Sequence, residues 1–324
     1  MILLATHRAA VEVDRVVDGL RSAGSETVRV NMAPGESRST LRIGDQAAAE
    51  LSIMCDGRSI QGSAVRAAWY LQPPLVESNA LPTEAGRVMV ATSLVDHWVN
   101  ALGSLRCRWL NPPYAVHRAA SKLRQQITAA NLGIPVPLGL STTDVDALRT
   151  TWPQTAVAKT LADVHLAWCA DPELAFVTRL IEVTALRAEA VASAPVLFQE
   201  RISEGREFRV VMVGDQSFGA AIPWERRSDW IDVRMDPALL NAFEAVEVPQ
   251  KVHQQLLQLL EAFDLEYCSA DFLEDGSGVI HFLDLNACGA WWWVDDLHEG
   301  RITATLVARL QQLAESGDPR SSAV

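Results

Sequence analysis

The chain has 324 residues, is 49% hydrophobic and 21% charged, and carries a net charge of −12. This is the composition of about two soluble domains with a real core, and its acidic balance argues against a surface that grips a nucleic-acid backbone. No apolar run approaches the roughly 20 residues of a membrane span, and His7 and Arg8 arrive too early for a secretory signal, so a cytoplasmic protein away from membranes is expected.

Ile2 to Ala5 reads as a short buried strand, and Ala9 to Ala23 as a helix with Val13, Val16, Val17 and Leu20 as its apolar stripe. Strands are expected at Val28 to Val30, Leu41 to Ile43 and Leu51 to Met54, the last leading through Asp56-Gly57 toward Ser59-Ile60. Another should run from Ala64 to Leu71, stopped by Pro73-Pro74, with a helix over Pro82 to Leu102. This opening is a small α/β unit with neither a GxGxxG fingerprint nor a P-loop. Asn111-Pro112-Pro113 marks a boundary. A helix carrying Lys122 follows and ends near Gly133, then a strand at Thr155 to Lys159, then strands at Pro195 to Ile202 and Phe208 to Val213. A long helix over Pro249 to Phe263 precedes two final strands, a closing helix over Thr303 to Ala314 and a frayed tail from Ser316.

Residue usage adds three expectations. The five cysteines (55, 107, 169, 268 and 288) form no CxxC pair and read as reduced thiols. Of 28 basic residues only Lys122, Lys159 and Lys251 are lysines, which makes each a candidate for a role that needs a compact ammonium. The seven histidines show no metal spacing and read as structural or surface residues.

"YCSADFLEDGSGVIHFLDLN" is a hairpin pattern, with two β-rich runs around Asp275-Gly276-Ser277-Gly278. A loop of two or four residues places Glu274 opposite Val279 and Asp271 opposite Phe282, leaving Asp284 as the diagonal neighbour of Asp271, roughly 7–8 Å away at the backbone. Asn286 shares that face because strand side chains alternate. Taken alone, these residues read either as solvated edge residues or as an all-oxygen site for Mg²⁺, since adjacent buried carboxylates repel unless a cation lies between them.

Four stretches, in order, resemble the ATP-grasp superfamily, and within it the graspetide synthetases, microviridin-type ligases that crosslink ribosomal peptides. They are "WLNPPYAVHRAASKLRQQITAANLGIPVP" (109–137), "PVLFQERISEGREFRVVMVGDQSFGAAI" (195–222), "SDW" (228–230) and "SADFLEDGSGVIHFLDLNACGAWWW" (269–293). The resemblance implies an α/β (α+β) ATP-grasp fold with an N-terminal α/β pre-ATP-grasp domain over 1–108, a central lobe over 109–195, a C-terminal lobe with hinge and metal site over 196–315, and a tail over 316–324. It implies ATP and Mg²⁺ as cofactors. Lys122 and Lys159 would hold phosphates, and Gln199 and Glu200 would meet adenine with the backbone at Arg201 and Ile202. Glu207 would take the ribose, Arg209 would face the reacting phosphate, and Asp271, Asp284 and Asn286 would bind the metal. Gly289 would let the chain turn close to bound ligand, with Trp291 to Trp293 walling the site.

Without the family, Lys159 reads as a surface lysine, Glu207 and Arg209 as an exposed ion pair, Cys288 as a packing residue and the tryptophans as core caps. The implied activity is an ATP-dependent carboxylate-amine or carboxylate-hydroxyl ligase that forms an acyl phosphate and then an ester or amide, with a precursor peptide as partner. Departures from the family pattern stand at Leu71 and Gln72, where arginines are usual, at Ile231, with Arg234 nearby, and in "KTLADVHLAWC" (159–169), which lacks a glycine-rich lid. They keep open a ligase joining free amino acids or small carboxylic acids, as glutamate ligases do, and a non-catalytic nucleotide-binding partner. A homodimer is compatible with the sequence.

Overall fold

The computed structural model describes residues 1–44, 49–71, 83–161, 178–202, 204–225 and 242–316. Six expectations lie outside them: Gln72, the strand stop at Pro73-Pro74, the helix start at Pro82, the stretch from Ser228 through Ile231 to Arg234, residues 162–169 of the lid region, and the tail beyond Ser316.

The first unit runs β1 (Ile2–Thr6), α1 (Val13–Ser22), β2 (Thr27–Asn31), β3 (Arg38–Arg42), β4 (Glu50–Cys55), β5 (Arg58–Gln61), β6 (Ala67–Tyr70), α2 (Glu84–Gly103) and β7 (Arg108–Trp109). Its parallel sheet has the order β2-β1-β6-β7, and β3-β4-β5 form a separate antiparallel meander. β1 is buried along its whole length, as expected for a parallel strand covered on both faces. The α1 stripe of Val13, Val16, Val17 and Leu20 is buried as read, although the helix begins four residues later than Ala9.

After α3 (Pro113–Ala119) and α4 (Lys122–Asn131) come β8 (Gly139–Thr142), α5 (Val145–Thr151), β9 (Thr155–Lys159), β10 (Arg179–Glu182), α6 (Ala188–Ser193) and β11 (Val196–Gln199). The four strands make an antiparallel sheet of order β10-β9-β11-β8 over a small core of Leu148, Ala156, Val183 and Phe198. β11 therefore completes this sheet, while α4 lies along the sheet that follows.

That sheet contains β12 (Glu204–Val213), β13 (Gln216–Glu225), β14 (Glu244–Val246), β15 (Tyr267–Glu274) and β16 (Ile280–Asn286), in the antiparallel order β14-β13-β12-β15-β16. Between β14 and β15 runs α7 (Gln250–Phe263), and the chain closes with α8 (Trp292–Leu297) and α9 (Arg301–Glu315). One sheet face (Phe208, Val210, Met212, Ala270, Phe272, Phe282 and Leu285) shares a core with Val252, Leu256, Leu259, Leu260 and Phe263 of α7. On the other face, Val211, Val213, Phe218 and Tyr267 share a second core with α1, α9 and the Ile2, Leu4 and Trp69 side of the first sheet. The closing helix thus binds the two ends of the chain together.

Asn111, in the expected boundary, is fully buried. Its Nδ2 donates to the carbonyls of Tyr267 and Ala287, each at 2.9 Å, and its Oδ1 accepts from the amides of Glu266 and Tyr267, each at 3.0 Å. It pins the start of β15 to the end of β16, and its own carbonyl accepts from Tyr70 N–H of the first sheet at 3.4 Å.

Candidate active site

The β15–β16 hairpin corrects the expected register. Glu274 lies opposite Ile280, not Val279, because five residues rather than four intervene. Phe272 lies opposite Phe282, and a bulge then shifts the pairing so that Asp271 faces Asp284 directly and Ser269 faces Asn286. The turn is built on Asp275. Its Oδ1 accepts from Ser277 N–H (2.8 Å), Ser277 Oγ (2.7 Å) and Val279 N–H (3.0 Å), and its Oδ2 is 2.8 Å from His281 Nε2. The Ser277 hydroxyl and His281 hold the Asp275 carboxyl well below the usual carboxylate range. The bulge lets Phe272 and Phe282 meet edge to face at 5.6 Å on the core side while both aspartates occupy the opposite side. The carboxylates are cross-strand partners, roughly 5 Å apart at the backbone rather than diagonal.

β12 adds a cation to the row. Arg209 is the cross-strand partner of Asp271; its Nε lies 2.8 Å from Asp271 Oδ1, with both side chains about one-fifth exposed (21% and 22%). Arg209 Nη1 also donates to Ser269 Oγ at 3.0 Å, and that hydroxyl donates to the Ala290 carbonyl at 3.1 Å. Arg209, Asp271 and Asp284 thus form a line across three adjacent strands. The alternative pairing of Arg209 with Glu207 gives way to this one, since Glu207 stands level with Leu273 and Ile222.

Packing alone requires Gly289: a Cβ there would lie 2.5 Å from Ser269 Cβ and 2.8 Å from Asn286 Cβ. The Gly289 carbonyl accepts from the buried Tyr267 hydroxyl at 2.6 Å. Trp291 is buried and Trp293 packs edge to face on Phe243 at 5.0 Å, whereas Trp292 is exposed. Two of the three tryptophans cap the core. Burial pushes the Cys288 thiol up to about 12, which suits a packing residue rather than a thiolate nucleophile. Leu71, one of the departures, is buried in the second core.

The nucleotide candidates distribute over both lobes. Lys159 ends β9 opposite Leu197 of β11. Lys122 is the first residue of α4, behind Ser121, whose Oγ caps the helix by accepting from Arg124 N–H at 3.3 Å. Gln199 ends β11 and is buried, its Nε2 donating to Gln126 Oε1 at 3.0 Å. Glu200 N–H donates to the Leu138 carbonyl at 2.9 Å, and Glu200 Oε1 accepts from Leu138 N–H at 2.7 Å. The side chains of Gln199 and Glu200 thus serve internal bonds. Arg201 and Ile202 follow on the link from the four-stranded to the five-stranded sheet. Gln125, Gln126 and Ser269 were not singled out in the sequence, and Asn111 stood there only as part of a boundary. The signal for the glutamines was present: the buried face of α4 is Gln125, Gln126 and Ala129, with no apolar stripe.

The donor set can be tested against a divalent ion. Among the described residues no three His, Cys, Asp or Glu side chains converge, so the set is two carboxylates and one amide. Asn286 Nδ2 lies 3.4 Å from Asp284 Oδ2, and turning that amide over presents its Oδ1 to the same space. Like charges directly opposite on a sheet destabilise it, and here Arg209 offsets one of them. A few oxygen ligands, completed by phosphate oxygens and water, match Mg²⁺ chemistry, so the residues fit the ion.

No family model matches the chain, and no curated protein matches it. Solved structures do match. One is a RiPP-associated ATP-grasp ligase of Chryseobacterium gregarium in complex with ADP and a leader and core peptide. It is 20% identical, has a TM-score of 0.80, and 96% of each chain is covered. A second is the macrocyclase MdnC of Microcystis aeruginosa MRC bound with precursor peptide MdnA, at 22% identity and TM-score 0.78, covering 96% of this chain and all of that one (100%). A third is the ATP-grasp ligase PsnB complexed with a phosphomimetic variant of its minimal precursor, Mg and ADP, at 24% identity and TM-score 0.69, covering 95% of this chain and 98% of that one. The protein has the ATP-grasp fold over nearly its whole length.

Proposed function

We propose that the protein is an ATP-dependent carboxylate ligase that activates a side-chain carboxylate of a ribosomally made precursor peptide and closes a ring through an ester or amide. The observation that carries this reading is the line Arg209–Asp271–Asp284, with Asn286 beside it, on one face of an ATP-grasp sheet. The solved structures of this fold that contain ADP, Mg and precursor or leader peptides support the cofactors and the substrate class.

On this reading residues 1–108 are the pre-ATP-grasp domain, 109–195 the central lobe and 196–315 the C-terminal lobe. Asp271, Asp284 and Asn286 Oδ1 would hold Mg²⁺, which when bound neutralises charge on the phosphates. Lys122 and Lys159 would hold phosphate oxygens, the first from α4 and the second from the end of β9. Glu207 would accept from the ribose, and the backbone at Arg201 and Ile202, with Gln199 and Glu200 holding the hinge behind it, would read the adenine edge. Arg209, anchored through Nε and Nη1, would turn Nη2 toward the moving phosphoryl group. Phosphoryl transfer needs little covalent help from a protein and much positioned positive charge. A substrate carboxylate oxygen attacks the γ-phosphorus of ATP; ADP leaves and an acyl phosphate remains. A hydroxyl or amine then attacks the acyl carbon, losing its proton, and inorganic phosphate departs.

No helix of the described residues is long and apolar enough to cross a membrane. The test is incubation with Mg-ATP and a leader-bearing peptide rich in Thr, Ser, Asp and Glu. Phosphate release with product lighter by one water per ring is expected. ADP release driven by free amino acids but never by peptide would replace this reading with a small-substrate ligase. ATP binding without turnover under any of these conditions would leave a nucleotide-binding partner protein.

A further inference from the structure

β16 is the outermost strand of the five-stranded sheet, so the outer backbone groups beside Asp284 need partners from elsewhere. α4 lies along that edge and supplies amides. Gln125 imitates a neighbouring strand: its Oε1 accepts from Leu285 N–H at 2.9 Å and its Nε2 donates to the Leu285 carbonyl at 2.7 Å. Gln126 Nε2 donates to the carbonyl of Leu283, the extra residue of the bulge, at 3.0 Å. The residues on both sides of Asp284 are thereby clamped to one helix. The other half of the Gln126 amide points to the four-stranded sheet. Its Oε1 accepts from Gln199 Nε2 at 3.0 Å, at the end of β11 and immediately before the hinge. All three glutamines are buried. Bonding between buried amides is directional, and a helix needed only for stability would be docked by apolar side chains.

We propose that Gln126 is a positioning residue that couples the hinge of the central lobe to the metal-binding strand, so that the setting of the lobes around nucleotide fixes the geometry of Asp284. This rests on the nucleotide and metal reading above. Movement of β11 displaces the Gln199 amide, then that of Gln126, and then the Leu283 carbonyl that precedes Asp284. Lys122 begins the same helix, so a phosphate candidate moves with the clamp. Coupling between the sites is reciprocal: whatever nucleotide does to metal affinity, metal does to nucleotide affinity.

The test uses Gln126→Met and Gln199→Met, singly and together, with calorimetric titration of ADP in EDTA and then across a Mg²⁺ series. ADP affinity in EDTA should stay within about twofold of wild type in Gln126→Met, while the Mg²⁺ needed for half-maximal enhancement of ADP binding rises roughly tenfold in each single variant, read for Gln199→Met against that variant's own ADP affinity in EDTA. The double variant should be no worse than the singles, because one relay is cut twice. An unchanged Mg²⁺ requirement in variants whose melting temperature falls would reduce the glutamines to packing residues and overturn the proposal, as would additive effects. Should Gln126→Met fail to fold, Gln199→Met alone decides, since it leaves the clamp on Leu283 in place. Wild-type protein that binds no ADP would bring down the active-site reading itself, whereas wild-type binding with unaltered variants brings down only the coupling.

Discussion

The two faces of the β12–β15–β16 ribbon differ sharply around Asp271. One buries Phe208, Phe272, Phe282 and Leu285 against α7. The other, a Cβ away, lines up Arg209, Asp271 and Asp284. In the Arg209 row one face adds apolar burial while the other holds like charges together at a cost to stability, and the alternation of a β-strand lets neighbouring residues serve both. The separation of the two roles can be broken experimentally.

The largest expected effect is at Asp284. Asp284→Ala should lower ATP turnover roughly a hundredfold or more, with a melting temperature equal to or above wild type because a carboxylate opposite Asp271 is gone. Turnover assays beside thermal melts check this; a melt that collapses with the activity would mean that the charged face is structural after all. On the other face, Phe272→Ala should cost about 3–5 kcal/mol in denaturant unfolding while leaving ADP affinity of the folded fraction near wild type. The smallest effect is at the hairpin tip. Because the Asp275 carboxyl is held below its ordinary range, its contribution to stability is complete above the unfolded carboxylate value of about 3.9 and fades as pH falls through the folded value. The difference in melting temperature between wild type and Asp275→Ala should therefore be constant from neutral pH down to about 4 and shrink below it. A difference that widened in acid would place the stabilising group elsewhere.

Much of the architecture was legible where one period dominates. β9 spans Thr155–Lys159 as read, and α7 and α9 end within a residue or two of expectation, because apolar spacing of 2 and 3.6 is strong there. β13 was missed: Gly219 and Pro223 interrupt its β-pattern, and the glycine is needed because a Cβ would lie 2.8 Å from the Val246 carbonyl of β14. In the site, period two put Asp284 and Asn286 on one face, but it put Phe282 there too, and the bulge turns Phe282 to the core side. The bulge that sets the aspartates directly opposite has no local signature, since it answers the packing of Phe272 on Phe282. The β-strand partners of Gln125 and Gln126 lie 73 to 160 residues away and left no mark beyond two amides where a helix would bury leucines.

Alternation along each strand, the helical stripes and the identity of every oxygen-bearing side chain were properties of the sequence by itself, because they depend on neighbours a few positions apart. Which carboxylate faces which, which cation sits between Asp271 and Ser269, and which helix clamps the metal strand were decided only when distant segments packed together. Register at a bulge and bonds between buried amides are set by long-range contacts, whose geometry no local period encodes.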